Sequence, residues 1–342
     1  MIRTNPLALA EKVAILASDR DFKNCSSTWV IDIGNSGIKI ALADCRSETV
    51  PKSHQVFQHH QFDWNSSRVS RVWQATWKHA DLRSLAETDS REAGRHQPEV
   101  YLDLNDTGWP QSVLAQLQDH FSVSMASQRQ GWVLSSVHRQ ASTAWIQAVS
   151  QIHPQDICRL MDYRDLQWEL KVDAPQRVGT DRVVAAWSAW QLLQRRSPCV
   201  VIQAGTAITV DAVDSSGAFA GGAIMPGLRL TLNALAGGTD LLPHLTTPAS
   251  PSELPRLPGK NTEDAMLAGG VAAVIGGIDL LLKRYRDLYG NELPILISGG
   301  NRAYLAPLLS YRVQVVDHLV LLGLSGLLDS WTRSDSLKGN GI

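Results

Sequence analysis

The sequence predicts an α/β protein made of two similar domains in tandem. Three observations carry that expectation. The chain has 342 residues, enough for two domains of ordinary size. Apolar strand-like runs alternate with segments of helical periodicity. One pattern also occurs twice, half a chain apart: Trp29-Val30-Ile31-Asp32-Ile33-Gly34-Asn35-Ser36 parallels Val200-Val201-Ile202-Gln203-Ala204-Gly205-Thr206-Ala207. Each copy is a buried strand, a polar residue, a glycine turn and a second strand. Two such copies imply two like domains facing each other, and a cleft between them is a natural ligand site.

The expected boundaries are an extension at 1–27, a first domain at 28–178, a second at 179–330 and a tail at 331–342. Residues 1–27 read as a short helix or frayed extension. Leu7-Ala8-Leu9-Ala10 is interrupted by Glu11 and Lys12, too soon for a signal peptide. No stretch approaches the ~20 apolar residues of a membrane span. Net charge is -1, so neither a nucleic-acid footprint nor a polybasic membrane patch is expected. Cys25, Cys45, Cys158 and Cys199 lack C-x-x-C spacing and read as buried, reduced thiols of a cytoplasmic protein.

Trp29–Ile31 and Ile38–Ala43 read as strands joined by the Gly34–Gly37 turn, a hairpin signal. Residues 46–110 are polar and poor in core formers, and predict exposed loops and helices pinned by tryptophans. Gly131–Ser136 is a buried strand, and 141–171 read as helix and connection. From Arg182 a helix is marked by Val183, Trp187 and Trp190 on one face. Cys199–Ile202, Ala207–Val213 and Ala218–Ile224 are strands, the last two joined by Asp214-Ser215-Ser216-Gly217. A helix is expected over 226–236 and a proline-rich loop over 243–260. A long helix follows, with Thr262 as its N-cap and Glu263 and Asp264 in its first turn. Its Gly269, Gly270, Gly276 and Gly277 suggest close approach to another helix, since each costs about 1 kcal/mol of helix stability. Ile295–Ile297 is a strand ending in Ser298-Gly299-Gly300, and Leu319–Leu328 a closing apolar helix.

The glycine turns suggest phosphate chemistry. A turn with glycine frees backbone N–H groups and lets a phosphate approach closely. Asn35 and Ser36 add polar contacts, Asp32 can hold Mg²⁺, and Lys39 can neutralise phosphate charge. The same residues suit an ordinary hairpin with a capping Asp. The second copy, Gly205-Thr206-Ala207-Ile208-Thr209, shifts the balance, because opposed glycine turns make a phosphate clamp. Gly179-Thr180-Asp181-Arg182 opens a helix. Asp181 there can accept a substrate hydroxyl's proton, and Arg182 can bind a carboxylate through its planar fork. A plain helix cap with an incidental surface arginine fits the same four residues. Ser298-Gly299-Gly300 suits passage of a flat ring or ribose as well as it suits a plain turn. The ten histidines lack metal-ligand spacing, and the eleven tryptophans read as core or surface anchors.

In this order the motifs resemble those of type III pantothenate kinases, of the actin, Hsp70 and sugar-kinase superfamily. They are Asp32–Ser36 with Lys39, Ser135-Ser136-Val137, Pro175 with Val178–Arg182, Gly205–Asp211, Gly221–Gly227, Gly259–Thr262 and Ser298–Gly300. The resemblance runs from about Trp29 to Leu328, weakly through 46–130. It implies two RNase H-like domains with an interdomain cleft, and ATP-dependent phosphorylation of pantothenate at the start of coenzyme A synthesis. It implies an ATP site formed by Asp32, Ile33, Gly34, Asn35, Ser36, Gly37, Ile38 and Lys39 with Gly205, Thr206, Gly299 and Gly300, and Mg²⁺ near Asp32. Gly179, Thr180, Asp181 and Arg182 would bind pantothenate, with Asp181 the general base. Thr262 would reach the substrate of the partner subunit in a homodimer. A monovalent cation, K⁺ or NH₄⁺, is also implied.

Two residues depart from the family. Gln203 stands where the family places an aspartate that helps hold the monovalent cation. Val172 stands nearest to a tyrosine that lines the family's substrate pocket. These departures are the support for a rival reading, a binding or regulatory protein that has lost catalysis. Intact Asp32, Asp181 and Arg182 oppose it. A sugar kinase is the other rival, opposed by the Gly179–Arg182 block and the short domains.

Overall fold

The structure is a computed structural model that describes residues 21–34, 37–43, 54–63, 68–78, 110–111, 113–115, 117, 128–248 and 257–333. These fall into two compact units. The first takes the residues up to Leu166, then Gly179–Asp181, then those from Val320; the second takes Gln167–Val178 and Arg182–Leu319.

The first unit is built on a six-stranded sheet ordered β4-β3-β2-β1-β5-β6. Its centre is β1 (Ser27–Ile33), whose run from Thr28 to Ile33 is buried throughout. A strand buried on both faces must be apolar along its length, and this one is, apart from its ends. β1 pairs antiparallel with β2 (Gly37–Ala43) and parallel with β5 (Gln130–Ser136). Helix α1 (Arg139–Ile152) leads from β5 to β6 (Ile157–Leu160), which joins β5 in parallel. Trp29 stacks on Trp132 at 5.5 Å between centroids, and Trp145 of α1 meets Trp132 edge-on at 5.6 Å. Asp156 accepts hydrogen bonds from the Trp132 indole at 3.0 Å and from the Gln130 N–H at 2.9 Å. These tryptophans are core anchors, as their setting in the sequence predicts.

The polar region differs from its expectation. β3 (His54–Asp63) and β4 (Arg68–Lys78) are long antiparallel strands that extend the sheet beyond β2, where loops and helices were predicted. Their β-branched and aromatic residues suit strands, and an outer ribbon tolerates a polar composition that a central strand does not. β6 also lies inside a segment read only as helix and connection; four residues are too few for periodicity to register.

The second unit repeats the plan. Its sheet is ordered β11-β10-β7-β8-β9. The central β7 (Cys199–Ala204) pairs antiparallel with β8 (Ala207–Val213), which pairs antiparallel with β9 (Phe219–Pro226). On its other side β7 pairs parallel with β10 (Ile295–Ser298), and β10 with β11 (Gln314–Val315). The internal sequence repeat is thus a repeat of topology, with β7 in the place of β1 and β10 in the place of β5. Each unit by itself has the RNase H-like strand order.

The other α-helices used below are α2 (Thr180–Leu192), α3 (Leu228–Gly237), α4 (Thr262–Tyr289), α5 (Arg302–Leu305) and α6 (Leu319–Arg333). The cap of α4 is Asn261, whose side chain accepts from the Asp264 N–H at 2.7 Å; Thr262 is the first helical residue and not the N-cap expected of it. Met266, Gly270, Val274, Ile278 and Leu282 form the buried face of α4, at i, i+4 spacing. Only one of its four glycines, Gly270, approaches another helix, α3, while Gly277 approaches Met225 of β9. A Cβ at Gly270 would press on Leu228 and Leu232 at 3.2 Å, and one at Gly277 on Met225 at 2.7 Å. Gly269 and Gly276 face open space. By length and composition α4 is long and apolar enough to cross a membrane, against the expectation that no stretch is; its buried face packs in the core of the second unit.

Cys25, Cys158 and Cys199 are buried, and burial pushes the Cys199 thiol up to about 12. The Asp214–Gly217 turn is closed as predicted, with the Gly217 N–H on the Asp214 carbonyl at 2.9 Å. Gly217 has φ +83°, and a Cβ there would lie 2.3 Å from Trp190. Burial pushes the Asp214 carboxyl up, but Lys171 at 2.8 Å, the Ser216 hydroxyl and the N–H groups of Ala218 and Ser216 outweigh it and hold it well below the usual range. Below about pH 4 the unfolded chain therefore takes up a proton that the folded chain does not. The stability this group contributes is present in full above that range and is lost as pH falls. Asp214→Asn should flatten the acid limb of stability measured by urea unfolding between pH 2 and 6. An unchanged acid limb would place that dependence on other groups.

Candidate active site

In the first unit the site grows from the end of β1. Asp32 is 7% exposed and stands one residue before the strand ends. In the antiparallel register it lies opposite Lys39, whose Nζ pairs with Asp32 Oδ2 at 3.1 Å. In the parallel register it lies beside Ser135. Ile33 and Ile38 are wholly buried, so these two can meet a ligand only through their main chain. Gly34 follows β1 and Gly37 opens β2, while Asn35 and Ser36 lie outside the described residues.

In the sequence Ser135 is only one residue of the Ser135-Ser136-Val137 motif. Here it is fully buried, and its Oγ is 3.1 Å from Thr180 Oγ1, at the first residue of α2. Thr180 leads directly to Asp181, so the ends of β1 and β5 and the start of α2 carry Asp32, Ser135, Thr180 and Asp181 on one unit. Gly179 has a steric reason: a Cβ there would lie 2.6 Å from Asp181 Oδ1 and 3.3 Å from Val137. A side chain would push the carboxylate aside.

In the second unit the glycines converge on the end of β7. Gly205 and Thr206 turn the chain into β8. The Gly227 N–H donates to the Thr206 carbonyl at 2.9 Å, and a Cβ on Gly227 would lie 2.5 Å from the Gly205 carbonyl oxygen. Helix α3 thus starts hard against this turn. Gly299 passes over Ala204 with φ +98°, where a Cβ would be 2.6 Å from the Ala204 oxygen. Asn301 closes the arrangement: its N–H donates to Ala204 O at 2.9 Å and its Nδ2 to Gly205 O at 3.4 Å. A Cβ at Gly300 would meet nothing within 4 Å. Ser298-Gly299-Gly300 and Gly205-Thr206, far apart in sequence, are therefore one surface. Arg229, in the first turn of α3, reaches the same turn, with Nη2 3.4 Å from Thr206 Oγ1. A cation near a helix N-terminus opposes the dipole, which favours an anion beside it.

Gln203 is half-buried next to this turn, in register with Ser298 of β10 and Thr209 of β8. Among the described residues no group of three or more His, Cys, Asp or Glu side chains gathers to hold a metal. Val172 packs on β9, 3.3 Å from where a Cβ at Gly221 would stand. Thr262 is exposed at the start of α4.

Arg182 is not an incidental surface arginine. Its side chain is 14% exposed, and it pairs with Asp211 of β8, which is wholly buried. Arg182 Nε lies 3.1 and 3.2 Å from the two Asp211 oxygens, and Nη2 also donates to Oδ1. Burial pushes the Asp211 carboxyl up, against the pull of Arg182. Asp211, Arg229, Asn301 and Ser135 are the site residues that sequence reasoning left without a role. Asp211 and Ser135 belong to the Gly205–Asp211 and Ser135-Ser136-Val137 motifs, the one signal available for them.

A family model described as type III pantothenate kinase matches residues 103–284, more than half of the chain. The chain belongs to the type III pantothenate kinase family. These are kinases that phosphorylate pantothenate with ATP in coenzyme A synthesis. Similar proteins include the type III pantothenate kinase of Rhodopirellula baltica, 35% identical over 199 residues, which are 57% of this chain and 71% of that one. Those of Albidiferax ferrireducens and Herminiimonas arsenicoxydans are 39% and 41% identical over 155 and 152 residues. Those two alignments cover 44% of this chain in each case, and 58% and 57% of the relatives. The chain thus spans less than two thirds of both these relatives' length.

Proposed function

We propose that this chain carries out the family's reaction with Asp181 as general base. The observation that carries the reading is the linkage of Asp32, Ser135, Thr180 and Asp181 within one unit, with Gly179 leaving the Asp181 carboxylate room. Asp181 takes the proton of the primary alcohol as its oxygen attacks the γ-phosphorus of ATP, and ADP leaves. Phosphoryl transfer asks a protein chiefly for positioning and charge stabilisation. Gly34 to Lys39 and the Gly205-Thr206 turn would supply main-chain N–H groups, with Gly299 and Gly300 beside the nucleoside.

Asp32 suits Mg²⁺, which is commonly held by one or two carboxylates together with substrate phosphates. Mg²⁺ held by Asp32 would neutralise phosphate charge there. Lys39 holds one Asp32 oxygen and adds a positive charge at the same turn. The monovalent-cation position is poorer. Gln203 contributes a neutral oxygen, and the nearby carbonyls of Ala204, Gly205 and Thr206 accept N–H groups. Arg229 supplies a fixed positive charge where the family relies on a cation.

We assign the partner surface to the outward face of α4. Gly269, Ala272, Ala273 and Gly276 are exposed there, and Leu280 is 53% exposed. A smooth apolar face of this kind suits a second copy, with Thr262 of each chain near its partner's substrate. The catalytically impaired alternative keeps its two supporting observations, Gln203 and Val172.

Three outcomes are expected. Asp181→Asn should lower turnover about 10²-fold or more with substrate binding retained, by the usual weight of general-base catalysis. This is read in a coupled ADP-release assay with pantothenate, N-acetylglucosamine or no acceptor. Wild-type activity absent with pantothenate would favour the impaired alternative, and an active Asp181→Asn would move the base elsewhere. Light scattering should find a dimer, disrupted by Gly276→Glu; a fully active monomer would refute the α4 assignment. Turnover against K⁺ at constant ionic strength should rise only weakly, or need high K⁺, and Gln203→Asp should steepen it. Tight, saturating K⁺ activation unchanged by Gln203→Asp would put the cation on other ligands.

A further inference from the structure

We propose that Asp211 is a positioning residue for substrate selection: it holds the Arg182 guanidinium in the one orientation that reads the substrate's carboxylate. The inference rests on the reading that Arg182 binds that carboxylate. No role for Asp211 follows from its place in the sequence, where it is one polar residue inside an apolar strand.

The geometry points this way in three respects. First, Asp211 is fully buried, and its carboxylate faces the side-on edge of Arg182, the Nε and Nη2 pair. A guanidinium has two edges that can take a carboxylate in fork fashion. Asp211 commits the side-on edge, so a substrate carboxylate must come to the end-on edge, formed by Nη1 and Nη2. Second, Asp211 cannot swing away. A Cβ at Gly222 on the paired strand would lie 2.4 Å from Asp211 Oδ1 and 2.7 Å from its Cα, so β9 runs directly against it. Glycine at 222 is what admits the carboxylate. Third, the Phe219 ring lies below the guanidinium, with Cζ 6.0 Å from its centroid. A long flexible side chain is thereby held by a carboxylate at its edge and a ring at its face. The ordering entropy is lost on folding and not on binding, which is how preorganisation improves affinity.

A purely stabilising role explains less. A buried ion pair is seldom worth more than an apolar pair of the same volume, because both charges lose their water. Asp211 also neutralises part of the positive charge that would attract an anion, so it does not act as a simple attractor. What it adds is orientation.

The test separates orientation from stability. Steady-state kinetics are measured with pantothenate and with panthenol, the same molecule with the carboxylate reduced to an alcohol. The ratio of kcat/KM values for the two reports how well the carboxylate is read. Arg182→Ala should collapse that ratio. Asp211→Asn, which keeps the shape and removes the charge, should raise KM for pantothenate about tenfold or more, as expected when a clamp is misplaced by a fraction of an ångström to an ångström. It should leave panthenol kinetics nearly unchanged, so that the ratio falls by the same factor. Adding Asp211→Asn to Arg182→Ala should change the ratio no further. Loss of activity on both substrates alike in Asp211→Asn would overturn the proposal and leave Asp211 structural. If Arg182→Ala keeps the wild-type ratio, it is the reading of Arg182 itself that fails. Should Asp211→Asn not fold, Arg182→Lys decides: lysine keeps the charge but cannot make the side-on pair. A lysine variant with the wild-type ratio would overturn the proposal, and one with the collapsed ratio would support it.

Discussion

In each sheet a parallel strand pair brings a serine beside the polar residue at the end of the central strand, and the candidate site depends on that register. β1 and β5 set Asp32 next to Ser135, and β7 and β10 set Gln203 next to Ser298. Both serines are buried, and each engages the first residue of a helix. Ser135 Oγ meets the Thr180 hydroxyl, and Ser298 Oγ accepts the Leu319 N–H at 3.3 Å. A slip of one residue in either pairing would turn these side chains to the opposite face of the sheet. The same device thus starts α2 with Asp181 in its first turn and starts α6.

The two copies have diverged at the position that matters for charge. The first holds a carboxylate, paired with Lys39, and the second holds an amide. Around the amide, positive charge comes from Arg229 on α3, and the turn is closed by Gly227, Gly299 and Asn301 packing on main-chain oxygens. Glycine is required at 227 and 299 for the same reason: backbone lies within 3 Å of where a Cβ would be. These contacts leave little freedom at the turn, as a site that works by positioning needs.

The strand and helix order, the duplicated plan and the glycine turns were legible in the sequence, because buried central strands are continuous apolar runs and turns carry glycine at fixed places. The outer strands were not. β3 and β4 have a polar composition that reads as loop, and β6 and β11 are too short for a periodicity to show. The cap of α4 was misplaced by one residue, since Asn261 and Thr262 both qualify by type and the capping bond alone distinguishes them.

The sequence by itself determined the family, the two-copy architecture and the candidate residues Asp32, Lys39, Asp181, Arg182, Gly205 and Gly299, because local patterns and motif order carry that information. Only the tertiary structure decided what these residues touch. Asp211 lies 29 residues from Arg182 and yet takes its side-on edge. Ser135 lies 45 residues from Thr180 and yet shares a hydrogen bond with it. Asn301 lies 96 residues from Gly205 and yet closes its turn. Such pairings follow from strand register and from where the chain returns to the sheet. They are long-range consequences of packing, and no local pattern in the sequence encodes them.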